Sequence, residues 1–230
     1  MIPTIARAGD SKKTRYDILC NERKACRVCG GDLTNPSVLQ GDREEIGAWS
    51  RWQGNLDAEV MVVGQDWGSV DGFARSKGAD TDDNPTNKTL VELLRCIDIE
   101  IPLPRESAGK GVAFFTNAIL CLKRGGAQAP VREEWFSNCA RCFLRPLIDI
   151  VQPRAVVCLG ERAYRAVLTA YDKKPHRLRQ AVESDAPEQL DGGIAVFAVY
   201  HCGARTLRIN RDLDAQRGDW RRIRKFLAGS

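Results

Sequence analysis

Four short apolar runs, each set apart from the next by a stretch with helical spacing, constrain this chain more than any other feature. They are "AEVMVVGQD" (residues 58–66), "GVAFFTNAILCL" (111–122), "RAVVCLG" (154–160) and "IAVFAVYHCG" (194–203). Brief runs rich in β-branched residues and ending near glycine are the pattern of parallel strands buried on both faces. Helical spacing recurs in "TLVELLRCI" (89–97), "REEWFSNCARCFLRPLIDIV" (132–151, stopping before Pro153), "ERAYRAVLTAY" (161–171) and "RGDWRRIRKFLA" (217–228). Strands alternating with helices imply an α/β fold, a three-layer αβα sandwich around a mostly parallel sheet of four strands.

A chain of 230 residues can bury one sizeable core, so a single domain over residues 1–230 is expected. Residues 1–52 have little periodicity and read as a loop-rich, cysteine-bearing segment with short helices; residues 53–230 form the αβα core. With 43% hydrophobic and 28% charged residues, disorder throughout is excluded. No apolar run reaches the ~18 residues of a membrane span, and the first residues lack the apolar core of a signal peptide, so a cytoplasmic location is expected. Nine cysteines, an odd number, argue against a disulfide framework and for free thiols with a metal site. The net charge of +5 gathers in "ARTLRINR" and "RGDWRRIRKF", either as a face for a polyanion or as solvated surface.

In open parallel sheets the ligand crevice lies beyond the carboxyl ends of the strands. Asp66, Asn117 and His201 fall at or near three such ends, far apart in sequence. An Asp there is commonly a turn or helix cap, and a His closing a strand commonly a satisfied structural residue. Asn117 is less easily dismissed, because an amide inside an apolar run must find partners in the backbone or in a ligand. The stretch "SVDGFARSKGADTDDNPTNK" (69–88) reads as a long loop of the kind that often carries function. No glycine-rich loop followed by Lys and Ser or Thr supports a phosphate-cradling nucleotide enzyme.

Taken in order, "GQDWG", "FFTNAILCLKRGG", "PRAVVCLGERAYRAVL" and "YHCGARTLRINR" resemble the motifs of the uracil-DNA glycosylase superfamily, and within it the iron-sulfur-containing, family 4-like branch. The likeness runs from Val60 to Phe226. It implies a DNA glycosylase of base-excision repair that extrudes uracil or a related deaminated base and hydrolyses its N-glycosidic bond. By the same resemblance Asp66 orients water and offsets sugar charge, while the backbone at Gly64 and Gln65 meets the uracil carbonyl. Asn117 reads the N3 and O4 edge, and His201 donates to O2. Leu207 or Arg205 is the candidate wedge, with Arg208 and Arg211 on phosphates. The partner is DNA containing uracil or another deaminated base, the protein acting as a monomer. The alternative is a binding protein on the same fold that grips uracil-containing or ordinary DNA without turnover, or links to it covalently through His201.

Three departures from the resembled pattern matter. His201-Cys202-Gly203 stands in place of His-Pro-Ser, and Gly68 in place of the tyrosine that blocks thymine's methyl. Asn84-Pro85-Thr86-Asn87 replaces a segment bearing the stacking phenylalanine, which leaves Phe73 or Trp67 to stack on the base. By resemblance, Cys26 and Cys29 of "CRVC", Cys121 and Cys139 hold a [4Fe-4S] cluster. The rival is structural zinc on two knuckles, Cys26 and Cys29 with Cys139 and Cys142 of "CARC". Cys96 and Cys158 read as small buried hydrophobes, and Cys20 and Cys202 have no assigned role.

Overall fold

The computed structural model describes residues 9–42, 45–46, 55–78, 81, 83–101, 113–126 and 129–229. Part of the expected N-terminal segment (1–8, 43–44 and 47–52), the first residues of the expected core (53–54) and part of the expected long loop (79–80 and 82) lie outside them.

Four predicted strands are present: β2 (Val60–Asp66), β3 (Ala113–Ile119), β5 (Ala155–Leu159) and β7 (Ala195–Val199). They pair in parallel in the order β3-β2-β5-β7. A short fifth strand, β6 (Glu188–Gln189), adds antiparallel to β7, so the sheet has five strands rather than the four expected. At two residues β6 is too short for a periodicity to register. A separate two-stranded ladder joins β1 (Leu33–Thr34) to β4 (Leu122–Lys123).

Alternation along each strand sends side chains to two cores. Met61, Val63, Phe114, Ala118, Val156 and Cys158 pack with α1 (Lys12–Ala25), α4 (Glu133–Cys139), α5 (Arg145–Val151) and α6 (Glu161–Ala170). Val60, Val62, Phe115, Val157 and Leu159 pack on the other face with α3 (Pro85–Arg95) and α9 (Leu213–Ala228), where Trp220 is fully buried. The three-layer αβα sandwich is thereby formed. Fully burying a side chain such as Leu90 or Leu94 contributes ~1.5–3 kcal/mol, which is why these layers outweigh local propensity.

Several elements depart from expectation. Helix α1 runs for 14 residues where only short helices were expected. Ser11 caps it by accepting from Thr14 N–H, and Tyr16, Leu19, Cys20 and Arg23 form its buried stripe. Arg23 lies buried against Asp42, 2.8 Å away, tying the helix to the segment that follows β1. The expected loop at 69–88 contains α2 (Val70–Ser76), capped by Ser69 and ended by Lys77 in the left-handed region, φ 52°. It also contains the first turn of α3, which starts at Pro85, capped by Asn84, whose side chain accepts from Thr86 N–H. The expected helix at 132–151 is interrupted at Ala140–Leu144 by a π turn, an irregularity frequent at functional positions. Between α6 and β6 lies α7 (Leu178–Glu183), and α8 (Ala204–Ile209) follows β7. Among the described residues no helix is long and apolar enough to cross a membrane.

Candidate active site

An open cleft of about 890 Å³ lies beyond the carboxyl ends of β2, β3 and β7, and its walls include Gly64, Gln65, Asp66, Trp67, Phe73, Asn117 and His201. Seven residues named from sequence thus meet in one place. Register explains part of the convergence, since Gly64 stands opposite Asn117 on adjacent parallel strands. His201 arrives two residues past the end of β7. It lies beside the end of β5, where Gly160 takes φ +91°, a backbone conformation that side chains resist.

Asp66 closes β2, and its carboxylate is held by a set of fixed donors. Gln65 Nε2 donates to Oδ2 at 2.6 Å, Gly68 N–H donates to Oδ1 at 2.7 Å, and Lys123 Nζ lies 3.2 Å from Oδ2. Gly68 has φ +87°, a conformation that side chains resist, so the turn that delivers this N–H requires glycine where the resembled pattern has tyrosine. Lys123 also donates its backbone N–H to Gly68 O at 3.0 Å. Sequence reasoning missed Lys123, which looks like a solvated charge after a strand; its place at the end of the apolar Leu-Cys-Leu run was the available signal.

Asn117 is 2% exposed, and neither its Nδ2 nor its Oδ1 has a hydrogen-bond partner. A buried amide with both valences unmade costs ~1–3 kcal/mol, and Asn117 presents that unmet donor and acceptor at the wall of the cleft.

The His201 ring is positioned by its own loop. Gly203 N–H donates to His201 Nδ1 at 3.0 Å, which places the proton of the neutral ring on Nε2. Glycine is needed at 203, since a Cβ would lie 2.9 Å from Nδ1. Although His201 is exposed at the mouth of the cleft, the surrounding walls withhold solvent from its ring and lower its pKa below the ordinary value of 6.5, with the Asp66 carboxylate pulling the other way. At neutral pH the ring is therefore an uncharged Nε2–H donor. Cys202, fully buried, anchors the loop to α3 through Sγ, 3.6 Å from Thr86 O.

Trp67 and Phe73 stack on one another at 5.6 Å between centroids and 29° between planes. Phe73 is buried, whereas Trp67 is half-buried at the cleft. Phe73 thus braces the indole.

The basic segment lies on α8 and just after it. Arg205 and Arg208 are exposed and Leu207 is half-buried. Arg211 is bound differently from expectation: its guanidinium makes a bidentate pair with buried Asp219 at 2.9 and 2.7 Å, stands 5.9 Å from the Tyr200 ring, and has its pKa raised by that carboxylate. It fastens α9 to the His201 loop. A residue not singled out from sequence, Ile209 at the end of α8, is 67% exposed.

Cys26, Cys29, Cys121, Cys139 and Cys142 line one small cavity with Asn35 and Asn138. Asn138 Nδ2 donates to Cys29 Sγ at 3.3 Å, and Asn35 Nδ2 donates to Cys26 O at 3.0 Å. Burial pushes the Cys121 thiol up to about 12 and raises Cys29, Cys139 and Cys142 as well. Among the described residues no three His, Cys, Asp or Glu side chains lie close enough to share one metal ion. Cys20 and Cys158 are buried elsewhere, and Cys96 is half-buried rather than fully so, with Sγ 3.8 Å from Glu92 O. None of the nine cysteines is in a disulfide.

Two comparisons relate the chain to known proteins. The chain is 29% identical over 196 residues to the Type-5 uracil-DNA glycosylase of Pyrobaculum aerophilum, covering 81% of each protein. Residues 52–217 match the model of the uracil DNA glycosylase superfamily, a span holding Asp66, Asn117 and His201. The carboxylate, amide and imidazole at one rim of a parallel sheet, together with that match, make the chain a member of the uracil DNA glycosylase superfamily and an N-glycosyl hydrolase of that kind.

Proposed function

We propose that this protein excises uracil, or a closely related deaminated base, from DNA in base-excision repair, leaving an abasic site. The observation that carries the proposal is the meeting of Asp66, Asn117 and His201 in one cleft, with the Asn117 amide unpartnered. In the extruded base, N3–H donates to Asn117 Oδ1 and O4 accepts from Nδ2. Cytosine reverses that pattern and leaves buried groups unpaired, which is the costly mismatch. As the glycosidic bond breaks, His201 Nε2–H donates to O2, where negative charge grows. Asp66, fixed by its donors, faces the sugar, offsets the oxocarbenium charge and holds the attacking water. Trp67, braced by Phe73, stacks on the base.

Arg205 and Arg208 contact phosphates. Arg211, committed to Asp219, supports the loop instead. Ile209 joins Leu207 and Arg205 as a wedge residue, and its exposure favours it. The covalent alternative needs an unprotonated His201 nitrogen facing the sugar; Nδ1 is taken up by Gly203 N–H, which favours hydrolysis.

The cysteine cavity fits a thiolate-bound group by its donor set, and Cys26, Cys29 and Cys121 with Cys139 or Cys142 would hold a [4Fe-4S] cluster. The rival is a structural zinc ion on Cys26, Cys29, Cys139 and Cys142, which line the same cavity. The group's part would be structural, pinning residues after α1 to β4.

Release of free uracil from single- and double-stranded oligonucleotides tests the function. Wild type is expected to release it and Asp66→Asn to lose about 10²–10⁴-fold in kcat. Wild type releasing no deaminated base in any context would end the proposal. Iron and zinc content with the visible spectrum of purified protein decide the metal.

A further inference from the structure

Asn87 lies on the buried face of α3, is 0% exposed, and has neither Nδ2 nor Oδ1 hydrogen-bonded. Its helical neighbours on that face, Leu90, Val91 and Leu94, are core residues, packed in the same layer as Val62 and Phe115. Gly64 and Asn117 stand two residues beyond Val62 and Phe115, and side chains two apart share a face of a strand. The first turn of α3 therefore covers the side of the sheet from which Asn117 projects, and Asn87 and Asn117 line the same cleft. In the packing of the protein alone Asn87 is a pure loss: leucine would fill the position with no unpaired amide. Two wholly unpartnered amides in one cleft supply twice the donors and acceptors that the N3–H and O4 edge of uracil can occupy.

We infer that Asn87 is a second base-reading amide, facing Asn117 across the pocket, and that it sets selectivity toward bases carrying polar groups beyond the edge Asn117 reads. This rests on the proposed glycosylase function. The contact costs folding stability and is repaid only when a base enters, as expected of a specificity residue rather than a packing residue.

Asn87→Leu, Asn87→Asp and wild type are compared for release of uracil, hypoxanthine and xanthine from oligonucleotides, for binding of the free bases by calorimetry, and for thermal unfolding. Asn87→Leu is expected to unfold at the same or a higher temperature, to lose about tenfold in kcat/KM on the base wild type prefers, and to change the ratio of rates between bases at least fivefold, mostly through KM. Asn87→Asp, which keeps the acceptor and loses the donor pair, is expected to change that ratio differently. Base ratios unchanged within twofold, or a loss of rate that tracks lowered stability in both variants, would overturn the role of Asn87 while leaving the glycosylase function standing. Wild type that neither releases nor binds any of the three bases would overturn both.

Discussion

Lys123 Nζ lies 3.2 Å from Asp66 Oδ2 with the two side chains 5% and 6% exposed, an ion pair built into the floor of the cleft. The pair links two parts of the chain that sequence alone keeps apart. Lys123 belongs to β4, which follows Cys121 directly and pairs with β1 through the register Leu33–Lys123. The segment that carries the cysteines therefore also braces the residue proposed to face the sugar. An unpaired buried charge costs more than the pair yields, so the partners are strongly coupled.

Lys123→Met leaves the Asp66 carboxylate with Gln65 and Gly68 alone. Breaking a buried pair costs ~3–5 kcal/mol, whereas replacing both partners is far less harmful. The double variant Lys123→Met with Asp66→Asn is thus expected to be more stable than Lys123→Met in urea unfolding. Additive effects would show that the two side chains do not interact.

His201 carries a sign that can be checked. Its pKa is expected below 6.5 because the cleft walls disfavour the charged ring, and Asp66→Asn is expected to lower it further by removing the carboxylate that favours the imidazolium. The chain holds two histidines, so a His176→Gln background leaves one ring to follow by NMR. Because the unfolded chain takes up this proton first, the contribution of His201 to stability is present above pH 6.5 and is lost as pH falls from there through the folded value. Protonation also puts a hydrogen on Nδ1 and breaks the contact from Gly203 N–H. A His201 signal titrating above 6.5 would reverse the assignment.

The layers and the strands were legible in the sequence because Val60–Val63, Phe114–Phe115 and Ala155–Leu159 bury both faces, and burial on both faces erases alternation into solid apolar runs. Asn117 stood out because an amide inside an apolar run needs a partner, whereas Asp66 and His201, residue types that commonly cap a turn or close a strand, were picked out only by the resemblance of their motifs. Lys123 was not, since its burial depends on a turn at Gly68 some fifty residues away, and a lysine carries no mark of its partner. Nor was Asn87, which sits in a stretch whose Asn, Pro and Thr favour loops until Asn84 caps a helix. The π turn at Ala140–Leu144 left no trace because it alters helical period without altering composition. Arg211 looked like surface charge for the same reason as Lys123, its partner Asp219 being set by the fold of α9.

Arg211 and Arg208 should therefore separate by experiment. Arg211→Ala leaves Asp219 buried with Arg222, 3.1 Å away, as its remaining cation, and is expected to lower stability by ~1–3 kcal/mol with little change in the salt dependence of DNA binding. Arg208→Ala is expected to leave unfolding unchanged and to reduce the slope of log affinity against log salt by about one, the signature of one lost phosphate contact. Equal slopes for wild type and Arg208→Ala would remove Arg208 from the interface.

Ile209 offers the sharpest test of how a base is reached. An aliphatic side chain 67% exposed beside two arginines has no packing reason to stay apolar, so Ile209→Ala is expected to leave folding unaffected. If the side chain fills the gap left by an extruded nucleotide, its loss matters only where a stacked and paired base must leave the helix, a step costing a few kcal/mol. Single-turnover release from duplex oligonucleotides is then expected to fall about tenfold or more while release from single strands changes little. Leu207→Ala, removing a half-buried residue of the same helix, is expected to lower both rates together. A similar loss on single strands for Ile209→Ala would assign the residue to general DNA contact and return the wedge to Leu207 or Arg205.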